Sequence, residues 1–406
     1  MMRLLHTSDW HLGHVLYEHE RQEEQRNFLN QVVAVAEAEQ PDAVVVCGDI
    51  FDKPSPPLWA REAYIDTMLR LRQVCPAATL VVTAGNHDSK MSIEVEGRLW
   101  ARLGVHVVGQ VTRDDEGFDL QRHIIAVAGA DGKQAGWIVA VPHIYDLAYP
   151  QLNPSDDAAQ RQRTFHKTLL DRVQAQNADA LPVVVTAHLT FANCDMQGHD
   201  VRPTVGGVEQ VGLETLGGDY DYLALGHIHR RQTLHATRPT VHYCGTPIPI
   251  SFDEMCDHSL TLVALQRGAE PQLTFRPVEN SRPLLTIPAQ PVPFAAALAA
   301  AVAHADQPAY VRLHVLLDEP LPANYNEKIA AAFADTPLLY CCMKLERPLA
   351  QETTGDEPVQ YTVDNLPSPI DMADRHYRNR FGNALPPRLS DKLLRAVALA
   401  EQTDQA

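Results

Sequence analysis

Short runs of aliphatic and β-branched residues recur along the first two thirds of the chain. They fall at residues 3–8, 43–47, 79–84, 124–128, 138–141, 183–187, 222–225, 240–244 and 260–265. Apolar runs of this length, bounded by turn-forming residues, read as buried strands. Between the early runs the spacing changes to that of a helix. In residues 21–40, Phe28, Leu29, Val32, Val33 and Ala36 fall on one face of a helix with 3.6 residues per turn. Residues 62–74 and 164–176 repeat the pattern. Strands alternating with helices predict an α/β sheet, and the later strands predict a second layer closing on it.

After about Pro277 the pattern shortens. Residues 284–287, 295–304, 311–317, 325–334 and 338–345 alternate as β-α-β-α-β, which predicts a small α+β domain. Residues 350–369 are rich in Pro, Thr, Asp and Glu and read as a linker. Beyond it Ile370, Ala373, Tyr377 and Phe381 recur at helical spacing, then Leu389, Leu393, Val397 and Ala400. The predicted organisation is therefore 1–276, a main domain; 277–349, the α+β domain; 350–369, a linker; and 370–406, a helical tail.

Composition narrows the class. No run of about 18 apolar residues occurs, so no membrane-crossing helix is expected, and the N-terminus lacks the anatomy of a signal peptide. The seven cysteines form no Cys-x-x-Cys pair. A disulfide framework or structural zinc is not expected, and a reducing cytoplasm fits best. The formal charge of −17 argues against a general nucleic-acid coat. It does not exclude a nuclease, because carboxylates that line a metal site add charge that cations offset.

Five short motifs follow apolar strands. They are Asp9-Trp10-His11, Gly48-Asp49, Gly85-Asn86-His87-Asp88, Ala187-His188 and Gly226-His227-Ile228-His229. Ligands of open α/β sheets collect beyond the carboxyl ends of the strands, so five distant segments can meet there. In an extended chain residues i and i+2 point the same way; Asp9 with His11, and His227 with His229, are expected to share a pocket. Asp49 has two oxygens and can bridge two cations, while Asn86 offers an amide oxygen and His188 an imidazole nitrogen. This donor set, without thiolates, suits manganese, iron or zinc better than calcium. Of the remaining histidines, His14 and His199 lie in loops that can border such a site.

These motifs, in this order, resemble the calcineurin-like metallophosphoesterase family over about residues 1–265. A narrower resemblance is to the SbcD family of bacterial nuclease subunits. It rests on Thr7-Ser8-Asp9-Trp10-His11-Leu12-Gly13, Gly48-Asp49-Ile50-Phe51-Asp52, Pro56-Pro57 and Gly85-Asn86-His87-Asp88-Ser89, and on the overall order of the chain. The resemblance implies a two-layer β-sandwich flanked by helices, with the α+β segment as a DNA-capping domain. It implies one metal held by Asp9, His11, Asp49 and His229, and a second held by Asp49, Asn86, His188 and His227. Two divalent ions, with manganese foremost, are the cofactors expected with it.

His87 is then catalytic and faces the scissile phosphate, with Asp88 either orienting it or capping a turn. Archaeal and eukaryotic relatives carry a histidine where this chain has Asp52, so Asp52 cannot act identically. The function implied is a DNA nuclease, exonucleolytic on duplex ends and endonucleolytic on hairpins and single strands. It would work as two copies with two copies of an SbcC-type coiled-coil ATPase docked on the tail. A protein phosphatase or cyclic-nucleotide phosphodiesterase on the same core is the alternative.

Overall fold

The computed structural model describes residues 1–115, 117–198, 210–235, 237–348 and 368–403. The strands that build its three main sheets are, in chain order, β1 (Met2–Thr7), β2 (Ala43–Cys47), β3 (Thr79–Thr83), β4 (Val105–Val108), β5 (Ile124–Ala128), β6 (Gln134–Val139), β7 (Val183–His188) and β8 (Tyr222–Gly226). They continue as β9 (Gln232–His235), β10 (Thr240–Tyr243), β11 (Ser259–Leu265), β12 (Gln272–Pro277), β13 (Leu284–Val292), β14 (Ala309–Leu316) and β15 (Leu338–Glu346). The helices are α1 (Gln22–Glu39), α2 (Leu58–Val74), α3 (Lys90–Arg102), α4 (Ala158–Gln176), α5 (Phe294–Val302), α6 (Tyr325–Phe333), α7 (Pro369–Phe381) and α8 (Pro387–Thr403).

Two six-stranded sheets form the predicted sandwich, ordered β12–β11–β1–β2–β3–β4 and β9–β10–β8–β7–β6–β5. Their centres are parallel and their outer strands β11, β12, β9 and β5 pair antiparallel. The central strands carry almost unbroken apolar runs, such as Ala43-Val44-Val45-Val46-Cys47, because both faces are covered. One face packs between the sheets, where Leu4, Val45, Val81, Ile138, Val184 and Val263 meet. The opposite face of the first sheet packs on Phe28, Val32, Tyr64 and Leu71 of α1 and α2; that of the second packs on Phe165, Leu169 and Val173 of α4.

The third sheet has the order β13–β14–β15 and packs its apolar face on α5 and α6 through Val311, Leu313, Ala297 and Ile329. Cys341 and Cys342 lie half-buried on β15. The chain divides into two compact units. One is Met1–Val315 with Leu321–Lys344; the other holds Leu316–Pro320 and the residues after Lys344, among which α7 and α8 are described. In the second unit Ser368 caps α7 by accepting from the Asp371 N–H at 3.1 Å. Gly382 (φ 72°) ends it in the left-handed region. Ile370, Ala373 and Tyr377 are half-buried, whereas Leu389 and Leu394 of α8 are exposed. The linker at 350–367 and the side chains of Phe381, Val397 and Ala400 lie outside the described residues. Among the described residues no helix is long and apolar enough to cross a membrane.

Candidate metal centre

The loops that follow β1, β2, β3, β7 and β8 meet at one end of the sandwich. The first two are zipped together beyond the sheet. Asp9 N–H donates to Gly48 O at 3.0 Å, His11 N–H to Asp49 O at 3.0 Å and Leu12 N–H to Ile50 O at 2.9 Å. The side chains do not converge by strand alternation, as the sequence suggested. Asp9 (φ 52°), His11 (φ 44°), Asp49 (φ 47°) and His227 (φ 95°) all sit in the left-handed region. Non-glycine residues adopt it rarely and at a cost, mostly where surrounding structure over-determines them. Gly48 (φ 83°) completes the same turn, and a Cβ there would collide with the His188 ring.

Among the described residues three groups of candidate ligands result. Asp9, His11 and His229 form the first and Asp49, His188 and His227 the second, while His11, Asp52 and His87 form a third that shares His11 with the first. His227 and His229 therefore face different groups. In the first, His11 Nε2 lies 3.2 Å from His229 Nε2. In the second, Asn86 Oδ1 lies 3.0 Å from His188 Nε2 and 3.0 Å from His227 Nδ1. Asp49 reaches both, with Oδ2 3.2 Å from His188 Nε2 and 3.9 Å from His11 Nε2.

The donor chemistry fits cations. His188 Nδ1 pairs with the Cys47 carbonyl at 2.9 Å and His229 Nδ1 with the Glu254 carboxylate at 2.8 Å. Each Nδ1–H is the donor, so each neutral ring presents a lone pair at Nε2: that of His229 to His11 Nε2, and that of His188 to Asn86 Oδ1 and Asp49 Oδ2. The oxygens around His188 repel its lone pair unless a positive charge sits among them. Without a cation, a proton takes that place. Burial alone would lower the His188 imidazole, but Asp49 and Asp9 raise it to about 9. Burial alone would raise the Asp49 carboxyl, but His188, His11 and His87 hold it well below the ordinary carboxylate range.

Around the first two groups stand the other residues. His227 N–H donates to Asp9 Oδ1 at 2.9 Å, and the Ser8 hydroxyl donates to Asp9 Oδ2. His87 N–H donates to Asp49 Oδ1 at 2.9 Å, its ring lies edge-on to His11 with centroids 5.0 Å apart, and its Nδ1 pairs with the Asp52 carbonyl at 2.8 Å. Asp88 accepts instead from the N–H groups of Gly85 (2.8 Å), Phe51 (3.0 Å) and Ile50 (3.2 Å). It ties the Gly85 turn to the Asp49 loop, while the His87 ring is oriented by the Asp52 backbone. The Asp52 carboxylate stands 3.7 Å from His11 Nδ1. His14 borders the first group, half-buried and lowered to about 3 by desolvation and by nearby Arg21 and His229. His199 lies outside the described residues.

The sequence reading missed Glu254, the Cys47 carbonyl and His143, whose Nδ1 pairs with the His188 carbonyl at 3.0 Å. Backbone carbonyls leave no residue-type signal. Glu254 stands in an ordinary polar turn, Ser251-Phe252-Asp253-Glu254, twenty-five positions after His229.

Residues 2–231 match the family model of the calcineurin-like phosphoesterases. The SbcD component of the SbcCD nuclease of Rhodobacter capsulatus is 31% identical over 375 residues, covering 89% of this chain and 91% of the relative. The SbcD proteins of Escherichia coli K12 (32% over 261 residues, 62% of each chain) and Bacillus subtilis (30% over 286 residues, 66% of this chain and 68% of the relative) are also similar. The chain belongs to the calcineurin-like phosphoesterases and, within them, to the SbcD family of nuclease subunits. It is a metal-dependent phosphodiesterase with the two-layer α/β fold that the strand pattern predicts.

Proposed function

We propose that this chain cuts DNA phosphodiesters with two divalent cations, manganese foremost, as the nuclease subunit of an SbcC–SbcD-type complex. The observation that carries this reading is the pair of lone-pair clusters joined by Asp49, on a chain similar along nine tenths of its length to an SbcD nuclease component. Asp9, His11, Asp49 and His229 would hold one cation, and Asp49, Asn86, His188 and His227 the other. Cations there would polarise a phosphate and supply a water of lowered pKa.

The remaining work falls to the chain. His87 spends Nδ1 on the Asp52 carbonyl, which leaves Nε2 to carry the proton that the departing sugar oxygen takes as the P–O bond breaks. Asp88 acts through position, by bracing the Asp49 and His87 loops against each other.

The three-stranded sheet would cap bound DNA, within a division into 1–276, 277–349, 350–369 and 370–406. The tail would dock on a coiled-coil ATPase, in an assembly of two copies of each chain located in the cytoplasm with the nucleoid. Exposed apolar residues support self-association: Leu58 and Leu69 on α2, and Met91, Val95 and Leu99 on α3. The test is cleavage by the purified chain with manganese, on linear duplex DNA, on hairpins and on a generic phosphodiester. The proposal expects DNA to be cut and chelator to stop it. Turnover of phosphoprotein or cyclic nucleotide in preference to DNA would point to another phosphoesterase.

A further inference from the structure

Glu254 is a buried carboxylate, with a side chain 1% exposed, on a turn that the motifs do not include. A buried charge is tolerated only with good partners. Its Oε1 takes the His229 Nδ1–H at 2.8 Å. Its Oε2 takes the Ile250 N–H at 3.1 Å and the Thr246 hydroxyl at 3.3 Å. The strand end is closed from the other side, since Thr246 N–H donates to the His229 carbonyl at 3.0 Å.

The turn is held independently of Glu254. Arg21, fully buried, donates from Nη1 to the Pro249 carbonyl at 2.6 Å. Arg312 of β14 donates from Nη1 to Asp253 at 2.8 Å. Glu254 is thus fixed before any ligand arrives.

We infer that Glu254 is the positioning residue of the group formed by Asp9, His11 and His229, resting on the two-cation reading given above. With Nδ1–H committed to Glu254, His229 exists as the tautomer whose Nε2 lone pair points at His11 Nε2, 3.2 Å away. The carboxylate also makes that nitrogen a stronger donor. Partners of this kind behind a metal-binding imidazole change metal affinity by about 10–100-fold. The effect is confined to one of the two groups, because His188 is held by a backbone carbonyl and His227 belongs with Asn86.

The experiment is titration of the metal-free full chain with manganese, reading free ion by electron paramagnetic resonance, for the wild type, Glu254→Ala, Glu254→Gln and Asp253→Ala. Wild type is expected to take up two ions. Glu254→Ala is expected to weaken one of them about 10–100-fold and leave the other unchanged. Glu254→Gln keeps an oxygen for the Nδ1–H but loses the charge, so its loss is smaller. It also carries the test should Glu254→Ala fail to fold. Asp253→Ala removes the Arg312 anchor but keeps the Arg21–Pro249 bond and the Glu254–His229 pair, so it is expected to bind as wild type does; matching losses in Asp253→Ala would reduce Glu254 to part of the turn. Two wild-type-like ions in both Glu254 variants would overturn the inference while leaving the two-cation reading intact. Fewer than two ions in the wild type would instead sink that reading.

Discussion

At the scale of single residues, the site depends most on Asp49. One of its oxygens stands within reach of both groups, and the other takes the His87 N–H. Asp49→Asn keeps its shape and removes its charge. Manganese uptake and DNA cleavage are expected to be lost with the melting temperature of the metal-free protein retained; cleavage at the wild-type rate would contradict the bridging role. His87 separates binding from chemistry. His87→Gln is expected to take up two manganese ions and to cut about 10²–10⁴-fold more slowly. A lost ion in that variant, counted by anomalous scattering, would make His87 a ligand. The residues that meet at the centre were legible because acidic, amide and imidazole side chains after apolar strands have few structural uses. Their means of meeting was not: alternation was expected, but four left-handed residues turn Asp9, His11, Asp49 and His227 inward. Aspartate and histidine enter the left-handed region more readily than most non-glycine residues, but the preference is too weak to place such a turn from residue type alone.

At the scale of elements, the central strands and α1, α2 and α4 follow the apolar pattern closely, because both faces of each strand are covered. What the pattern hid lies at the edges. Strands β9 and β12 are half-exposed and carry mixed residues. Helix α3 buries Ile93 and Trp100 yet exposes Met91, Val95 and Leu99, so no single apolar face stood out.

One buried acid holds the second sheet to its neighbouring turns. Asp221 accepts from the Val183 N–H at 2.9 Å, Gly268 N–H at 3.1 Å, Arg238 at 2.7 Å and Arg267 at 3.0 Å. Burial alone would raise its carboxyl; the backbone N–H groups and the two arginines hold it below the ordinary value. A group with the lower pKa in the folded state contributes fully above the unfolded value of ~3.9 and loses that contribution as pH falls through the folded one. Asp221→Asn is expected to cost about 3 kcal/mol at neutral pH, at the low end for a broken buried pair because both arginines keep contact with water. Thermal melts should show the gap from wild type narrowing below about pH 4. A gap independent of pH would remove the charge from the explanation.

At the scale of the whole molecule, the net charge of −17 and the nuclease reading are compatible because cations offset the charge at the centre and a partner can supply basic surface. The tail carries Arg375, Arg378, Arg388, Lys392 and Arg395 beside Leu389 and Leu393, a pattern suited to docking an apolar stripe on a partner helix. Removing residues from Ile370 onward is expected to leave a folded, metal-binding chain that no longer co-purifies with the proposed ATPase partner, and Leu393→Asp to do the same with less disturbance. Unchanged co-purification would place the main anchor elsewhere. The nuclease reading stands or falls on two cations sharing Asp49 at one end of the sandwich. An anomalous difference map from a manganese-soaked crystal would locate them. Two peaks are expected, one among Asp9, His11 and His229 and one among Asn86, His188 and His227, with Asp49 touching both. A single peak, or two that Asp49 does not join, would contradict the shared-carboxylate centre.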